Sequence, residues 1–312
     1  MSPPLPNEAT IHVSLDELIA LSAAAHGVRL ARNRRSAAMR SGAGVSRWRG
    51  RGVDFRESRP YQPGDEIRHM DWRVTARSGK PHTKLFEEER EQSLLIALDC
   101  NAGMRFGTRV RFKSVQAARV AALLAWLASM AGDRVGALGF GGDIHGEVKP
   151  AGGRRGVLRL LRSVRDWDAA ATDAVGHLSQ ALSRARRLLR PGMRLFIITD
   201  GYSVDDAALR MLPQIAHRHE MAVILLDDPL ELAPPPPGRY AMRTGDVARI
   251  VDFGSAHVRR TWTTRFRSAR ESLLAECRSL GIRVLEVDTR ADLRLVLAPL
   301  LERGFRSQQG SA

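Results

Sequence analysis

The sequence predicts an α/β fold: a doubly wound, mostly parallel sheet preceded by a small N-terminal β-containing lobe. Three observations predict it. From Ser93 onward, short apolar segments alternate with segments of helical periodicity, the order that builds a sheet covered by helices on both faces. The segments Leu94–Leu98, Arg194–Thr199 and Met221–Leu226 run apolar without alternation, as strands buried on both faces do. Before residue 92 the texture differs, with Gly-, Ser- and Arg-rich sequence and short strand candidates between proline turns.

In chain order, residues 1–13 are proline-rich and read as a disordered tail. Ser14-Leu15-Asp16-Glu17 is a capping box, opening a helix expected to reach about Arg35, with Leu15, Leu18, Ile19, Leu21 and Val28 on one face. Residues 36–52 read as a loop. Gly52–Glu57 and Thr83–Glu89 are strand candidates, and Asp65–Arg77 mixes turn and short helix. Residues 14–92 thus form a helix and a small β-rich lobe, and residues 93–303 the main domain, with a tail at 304–312. In that domain the strands are Leu94–Leu98, Arg134–Phe140, Arg194–Thr199, Met221–Leu226 and Ile282–Val287. The helices are Phe112–Ala131, Val157–Val164, Asp173–Leu189, Asp205–His219, Thr263–Leu280 (closed by Gly281) and Leu293–Arg303. Gly152–Gly156 is glycine-rich and basic but lacks the Lys-Ser/Thr of a phosphate loop, and reads as a turn. Asp227–Phe253, with four consecutive prolines, is a surface excursion.

The 312 residues carry a net charge of +15, and of 49 basic residues only Lys80, Lys84, Lys113 and Lys149 are lysine. Two readings of this charge stand: an electrostatic footprint for nucleic acid or another anionic surface, or the arginine usage of a GC-rich genome. No apolar run approaches the roughly 20 residues of a membrane span, and no secretory signal is read at the N-terminus. Cys100 and Cys277, far apart and without metal-type spacing, are expected to be free thiols in a cytoplasmic protein.

Candidate chemistry gathers at three strand or helix ends. Asp99 closes the first strand of the main domain, Asp200 follows Phe-Ile-Ile-Thr, and Thr172 lies in the turn before a helix. At the carboxyl edge of a parallel sheet these side chains would face one crevice. Two carboxylates and a hydroxyl are hard oxygen donors suited to Mg²⁺ or Mn²⁺. The alternative is that they cap the turns and helices that follow.

This arrangement resembles the von Willebrand factor A-like fold and its metal-ion-dependent adhesion site, Asp-x-Ser-x-Ser with a Thr and an Asp. The resemblance implies that Asp99, Asn101, Thr172 and Asp200 hold a divalent metal whose shell a partner's carboxylate completes. Asn101 and Gly103 stand where the family has serines; Asn101 still offers an amide oxygen, and Gly103 offers no side chain.

A second motif precedes the main domain: Arg59, Tyr61, Pro63, Gly64, Asp65, Arg68, Asp71, Trp72, Ala76 and Arg77. Its spacing resembles the bacterial domain of unknown function 58 family, and Asp227–Leu232 (Asp-Asp-Pro-Leu-Glu-Leu) fits the same pattern. Physically, Asp65 and Asp71 have Arg68, Arg73 and Arg77 as candidate partners, with Trp72 packed on an arginine or the core. That network is either a structural lock or a ligand or partner site. The family resemblance implies a non-enzymatic binding protein partnered with a MoxR-type AAA+ ATPase and an unknown protein client. The rivals are a nucleic-acid binder driven by the arginines and a metal-dependent hydrolase. No base near Asp99, no serine in a nucleophile elbow and no close-spaced histidine set supports the hydrolase.

Overall fold

The computed structural model describes residues 8–26, 28–30, 53–62, 67, 70–88, 92–170, 175–244 and 247–303. The chain divides into two units, residues 34–91 and residues 1–33 with 92–312.

In the larger unit, the strands are β1 (Ser93–Asp99), β2 (Arg134–Phe140), β3 (Glu147–Ala151), β4 (Arg194–Thr199), β5 (Glu220–Asp227) and β6 (Arg283–Asp288). They form one sheet in the order β6-β5-β4-β1-β2-β3, parallel except for β3, which runs antiparallel to β2. This is the doubly wound α/β architecture expected from the alternation of strands and helices. β3, absent from the sequence reading, is short and alternates exposed and buried residues, so it carries no apolar run to signal it.

The principal helices are α1 (Lys113–Met130), α2 (Gly153–Ala170), α3 (Leu178–Leu188), α4 (Asp206–Ala216) and α5 (Ala256–Ser279). α1 and α2 cover one face of the sheet, packing on Leu94, Ile96 and Leu98; α3, α4 and α5 cover the other, packing on Leu95 and Ala97. The alternate residues of β1 thus feed two separate cores, which is why the strand reads as continuously apolar. α1 is buried along nearly its whole length and is apolar on all sides. α2 buries Val157, Leu160, Leu161 and Val164 at helical spacing. α5 ends at Leu280, followed by Gly281 at φ 65°, the left-handed terminus a glycine permits.

Several boundaries differ from the sequence reading, among them the start of α5, at Ala256 and not Thr263. Ser14 caps the first helix, accepting the Glu17 N–H, but the helix stops at Ala20, a short turn follows at Ser22–Ala25, and Val28–Leu30 is a strand. That strand pairs antiparallel with Leu301–Arg303, so the last helix is also cut short, to Leu293–Val296 and a 3₁₀ turn containing Pro299. Long-range backbone pairing wins over local helical periodicity in both places, and a proline cannot donate within a helix. Gly153, read as part of a turn, opens α2 at φ 66°. α3 starts at Leu178; its expected start, Asp173, lies outside the described residues.

The N-terminal segment, assigned above to a tail and to the small lobe, packs on the sheet domain. Leu18 and Val13 are buried in the α1–α2 core. The Trp126 indole donates to the Leu18 carbonyl at 3.0 Å, Glu17 pairs with Arg119, and the Phe112 N–H donates to the Thr10 carbonyl.

In the smaller unit, strands Val53–Pro60 and His82–Glu88 pair antiparallel, flanking the helix Trp72–Ser78. The excursion after β5 holds a one-turn helix, Pro229–Leu232, and a hairpin, Arg239–Thr244 with Val247–Asp252. Among the described residues, no helix is long and apolar enough to cross a membrane.

Candidate functional site

β1 and β4 are neighbours, and the chain leaves β1 toward β2 on one side and β4 toward β5 on the other. Their carboxyl ends therefore flank the topological switch point, where doubly wound sheets open a crevice. The parallel register sets Leu98 beside Ile198, so Asp99 and Thr199 follow side by side.

Asp99 is buried, and four donors meet its carboxylate. Oδ1 accepts the Asn101 N–H at 3.0 Å and the Asn101 side-chain amide at 2.7 Å. Oδ2 accepts the hydroxyls of Thr199 at 2.7 Å and Ser203 at 2.6 Å. Burial and then the nearby Asp200 push its pKa up to about 6, against the pull of those hydrogen bonds. Asn101 spends its remaining capacity on Gly176, accepting that residue's N–H at 2.7 Å and donating to its carbonyl at 3.0 Å. The fit is close: a Cβ on Gly176 would lie 2.7 Å from the Gly141 Cα.

Asp200 is also buried; Oδ1 accepts the Tyr202 N–H at 3.0 Å. Oδ2 accepts from the Lys113 ammonium at 2.8 Å, and the same ammonium reaches Glu231 Oε1 at 2.6 Å. Lys113 is fully buried. Burial alone would lower its pKa, but Asp200 and Glu231 together hold it above the ordinary lysine value. Burial raises that of Glu231, opposed by Lys113.

The Asp227–Leu232 motif supports this pair from below. Asp228 caps the helix Pro229–Leu232, accepts the Thr108 N–H and hydroxyl at 2.9 and 2.5 Å, and accepts the Thr289 hydroxyl at 3.0 Å. Glu231 closes the capping box on the Asp228 N–H. Asp227 pairs with Arg270, which also holds Glu286.

Of the sequence-predicted ligands, the structure brings together Asp99, Asn101 and Asp200; Thr172 lies outside the described residues. These three do not fit a divalent cation as they stand. Every side-chain oxygen of Asp99 and Asn101 is engaged by protein donors, and Asp200 accepts a backbone N–H on one oxygen and an ammonium on the other. Among the described residues, no group of three or more His, Cys, Asp or Glu side chains is placed to hold a metal. Sequence reasoning missed Lys113, Thr199, Ser203 and Glu231. A signal was present for Lys113: one of four lysines in an arginine-rich chain, it opens an apolar helix, at the end where the dipole disfavours a cation.

In the Arg59–Arg77 motif, Pro63, Gly64, Asp65 and Arg68 lie outside the described residues. Asp71 is buried; it caps the helix through the Val74 N–H at 3.1 Å and accepts the Ser58 hydroxyl at 2.6 Å. Arg59 and Tyr61 lie at the end of the first strand of that lobe, and the Tyr61 N–H donates to the Pro81 carbonyl at 2.9 Å. Arg77 is exposed in the last turn of the helix. Trp72, expected to pack on an arginine or the core, is 65% exposed at the first position of the helix.

Fold and site together define a doubly wound α/β domain whose carboxyl edge is closed by a carboxylate–hydroxyl–ammonium network. Residues 57–272 match the family described as "Protein of unknown function DUF58", and the chain belongs to that family. Uncharacterised proteins of Mycobacterium tuberculosis and Mycobacterium bovis are 31% identical over 244 residues, covering 78% of this chain and 77% of theirs. Among solved structures, an aerotolerance-related membrane protein from Bacteroides fragilis aligns at TM-score 0.41 and 16% identity, covering 67% of this chain and 98% of its own. The SpRpn10 VWA domain aligns at TM-score 0.39 and 9% identity, covering 67% and 94%.

Proposed function

We propose that this chain is a non-enzymatic, cytoplasmic protein-binding member of its family, working with a MoxR-type AAA+ ATPase on a protein client. It would dock through the carboxyl edge of the sheet around Asp99 and Asp200. The observation that carries this reading is how the edge hydroxyls are used. Thr199 and Ser203 both donate to the same buried Asp99 oxygen, so the two hydroxyls brace the crevice from inside. The loop between β1 and α1 adds exposed Arg109 and Val110, a combination suited to an acidic partner surface with an apolar contact. The partner class comes from the family resemblance, and the buried thiols Cys100 and Cys277 suit a reducing compartment.

The test is association of the purified chain with the MoxR-type ATPase of the same genome, in Mg²⁺ and in EDTA with nucleotide absent. Binding in both, weakened by Arg109→Glu with Val110→Asp, is the expected result. No association in either condition, together with salt-sensitive retention on DNA, rejects this reading in favour of the arginine-driven binder.

A further inference from the structure

The Lys113 ammonium lies at the meeting point of three elements. It is the first residue of α1, its Nζ contacts Asp200 after β4 at 2.8 Å, and it contacts Glu231 after β5 at 2.6 Å. The rings of Tyr202 and Phe106 stand 5.2 and 6.0 Å from the same nitrogen. No part of the side chain is exposed.

A cation is costly to place here. It is withdrawn from water, and it sits at the positive end of a helix dipole. Two buried carboxylates and two aromatic rings compensate that cost. One of the four lysines among 49 basic residues stands at this position, and a compact ammonium suits two single carboxylate oxygens better than a planar guanidinium does.

The position of the charge matters as much as its burial. Asp200 is the acidic residue that the resemblance assigns to a divalent metal, and its Oδ2 is the oxygen the ammonium takes. Gly103, in a serine position of the adhesion motif, lies against that oxygen: a Cβ there would come within 3.2 Å of it. A metal at Asp200 would have a positive charge as its near neighbour. The departures from the motif at Asn101 and Gly103 and the presence of Lys113 are therefore one change seen from two sides. Asn101 turns its donors on Asp99, the missing Gly103 side chain leaves room, and the ammonium neutralises Asp200.

We infer that Lys113 is the resident cation of this site, standing in the charge-balancing place of a divalent metal, so that the carboxyl edge is built and held without metal. This concerns the free chain and stands whether or not the ATPase is the partner.

The deciding experiment is Mn²⁺ titration of the full chain by electron paramagnetic resonance, with melting curves in MgCl₂ and in EDTA. No Mn²⁺ uptake through the millimolar range and superimposable melting curves are expected. Stoichiometric uptake at submillimolar Mn²⁺ overturns the inference, whatever the variants do. Lys113→Met should lower the melting temperature by roughly 10 °C, and adding Glu231→Gln should restore part of the loss by removing one stranded carboxylate. A Lys113→Met protein that melts with wild type would equally overturn it. Should Lys113→Met fail to fold, the wild-type titration still decides.

Discussion

The side chain of Asn101 and the backbone of Gly176 hydrogen-bond in both directions, at 2.7 and 3.0 Å, tying the end of β1 to the segment that leads into α3. The amide acts as a peptide group would, and its NH₂ also reaches Asp99. Neither a hydroxyl nor a carboxylate reproduces that set of donors and acceptors. Asn101→Asp places a like charge against Asp99 and should cost about 3 kcal/mol. Asn101→Ser, which places the serine of the adhesion motif there, should cost about 1–2 kcal/mol. Urea denaturation of the two variants checks the order.

The pKa of Asp99, raised to about 6 from an ordinary 3.8, makes stability depend on pH with a definite sign. Between those values the folded protein binds the proton and the unfolded chain does not. Stability contributed by this group is therefore present below about pH 4, falls as pH rises through 6, and is level above. Asp99→Asn should remove that component. The wild-type-minus-variant stability difference should change by about 3 kcal/mol at most across the window. Denaturant midpoints from pH 4 to 8 test it; a difference independent of pH contradicts the assignment.

Both cysteines are buried, and burial raises both thiols, that of Cys277 to about 11. The thiolate is the reactive form. Neither cysteine should react with Ellman's reagent in the native protein near pH 8, and both should react in guanidinium. Rapid native labelling of Cys100 would show that the β1 end opens.

The N-terminal helix should contribute to the stability of the whole sheet domain. Leu18 is fully buried against α1, so Leu18→Ala should cost about 2–5 kcal/mol. Trp126→Phe, losing the bond to the Leu18 carbonyl, should cost about 1 kcal/mol beyond its volume change. Thermal melts of both variants measure this docking.

The motif lobe separates structural from surface roles within adjacent residues. Asp71→Ala removes a helix cap and the partner of Ser58, and should destabilise the lobe by about 0.5–2 kcal/mol. Trp72→Ala should change stability by no more than about 0.5 kcal/mol, because the ring is largely in solvent. Local hydrogen exchange at Val74 and Ser58 distinguishes the two.

The order of strands and helices, the two-sided burial of β1, β4 and β5, and the placement of Asp99 and Asp200 at one edge were legible in the sequence. Each rests on local pattern: an apolar run, a helical stripe, a residue at the end of a strand. The Arg59–Arg77 run carried the family for the same reason, being contiguous in sequence. What the tertiary structure alone decided was which groups answer those carboxylates. Lys113 lies 87 positions from Asp200 and 118 from Glu231, Thr199 lies 100 from Asp99, and Asn101 lies 75 from Gly176. It also decided that Val28–Leu30 pairs with Leu301–Arg303 where both segments carry helical periodicity. A sequence records which residues are able to bear charge or donate a hydrogen bond. Whether an aspartate faces a metal, a hydroxyl or an ammonium depends on chain segments brought within 3 Å by the packing of the two cores, and no local spacing encodes that distance.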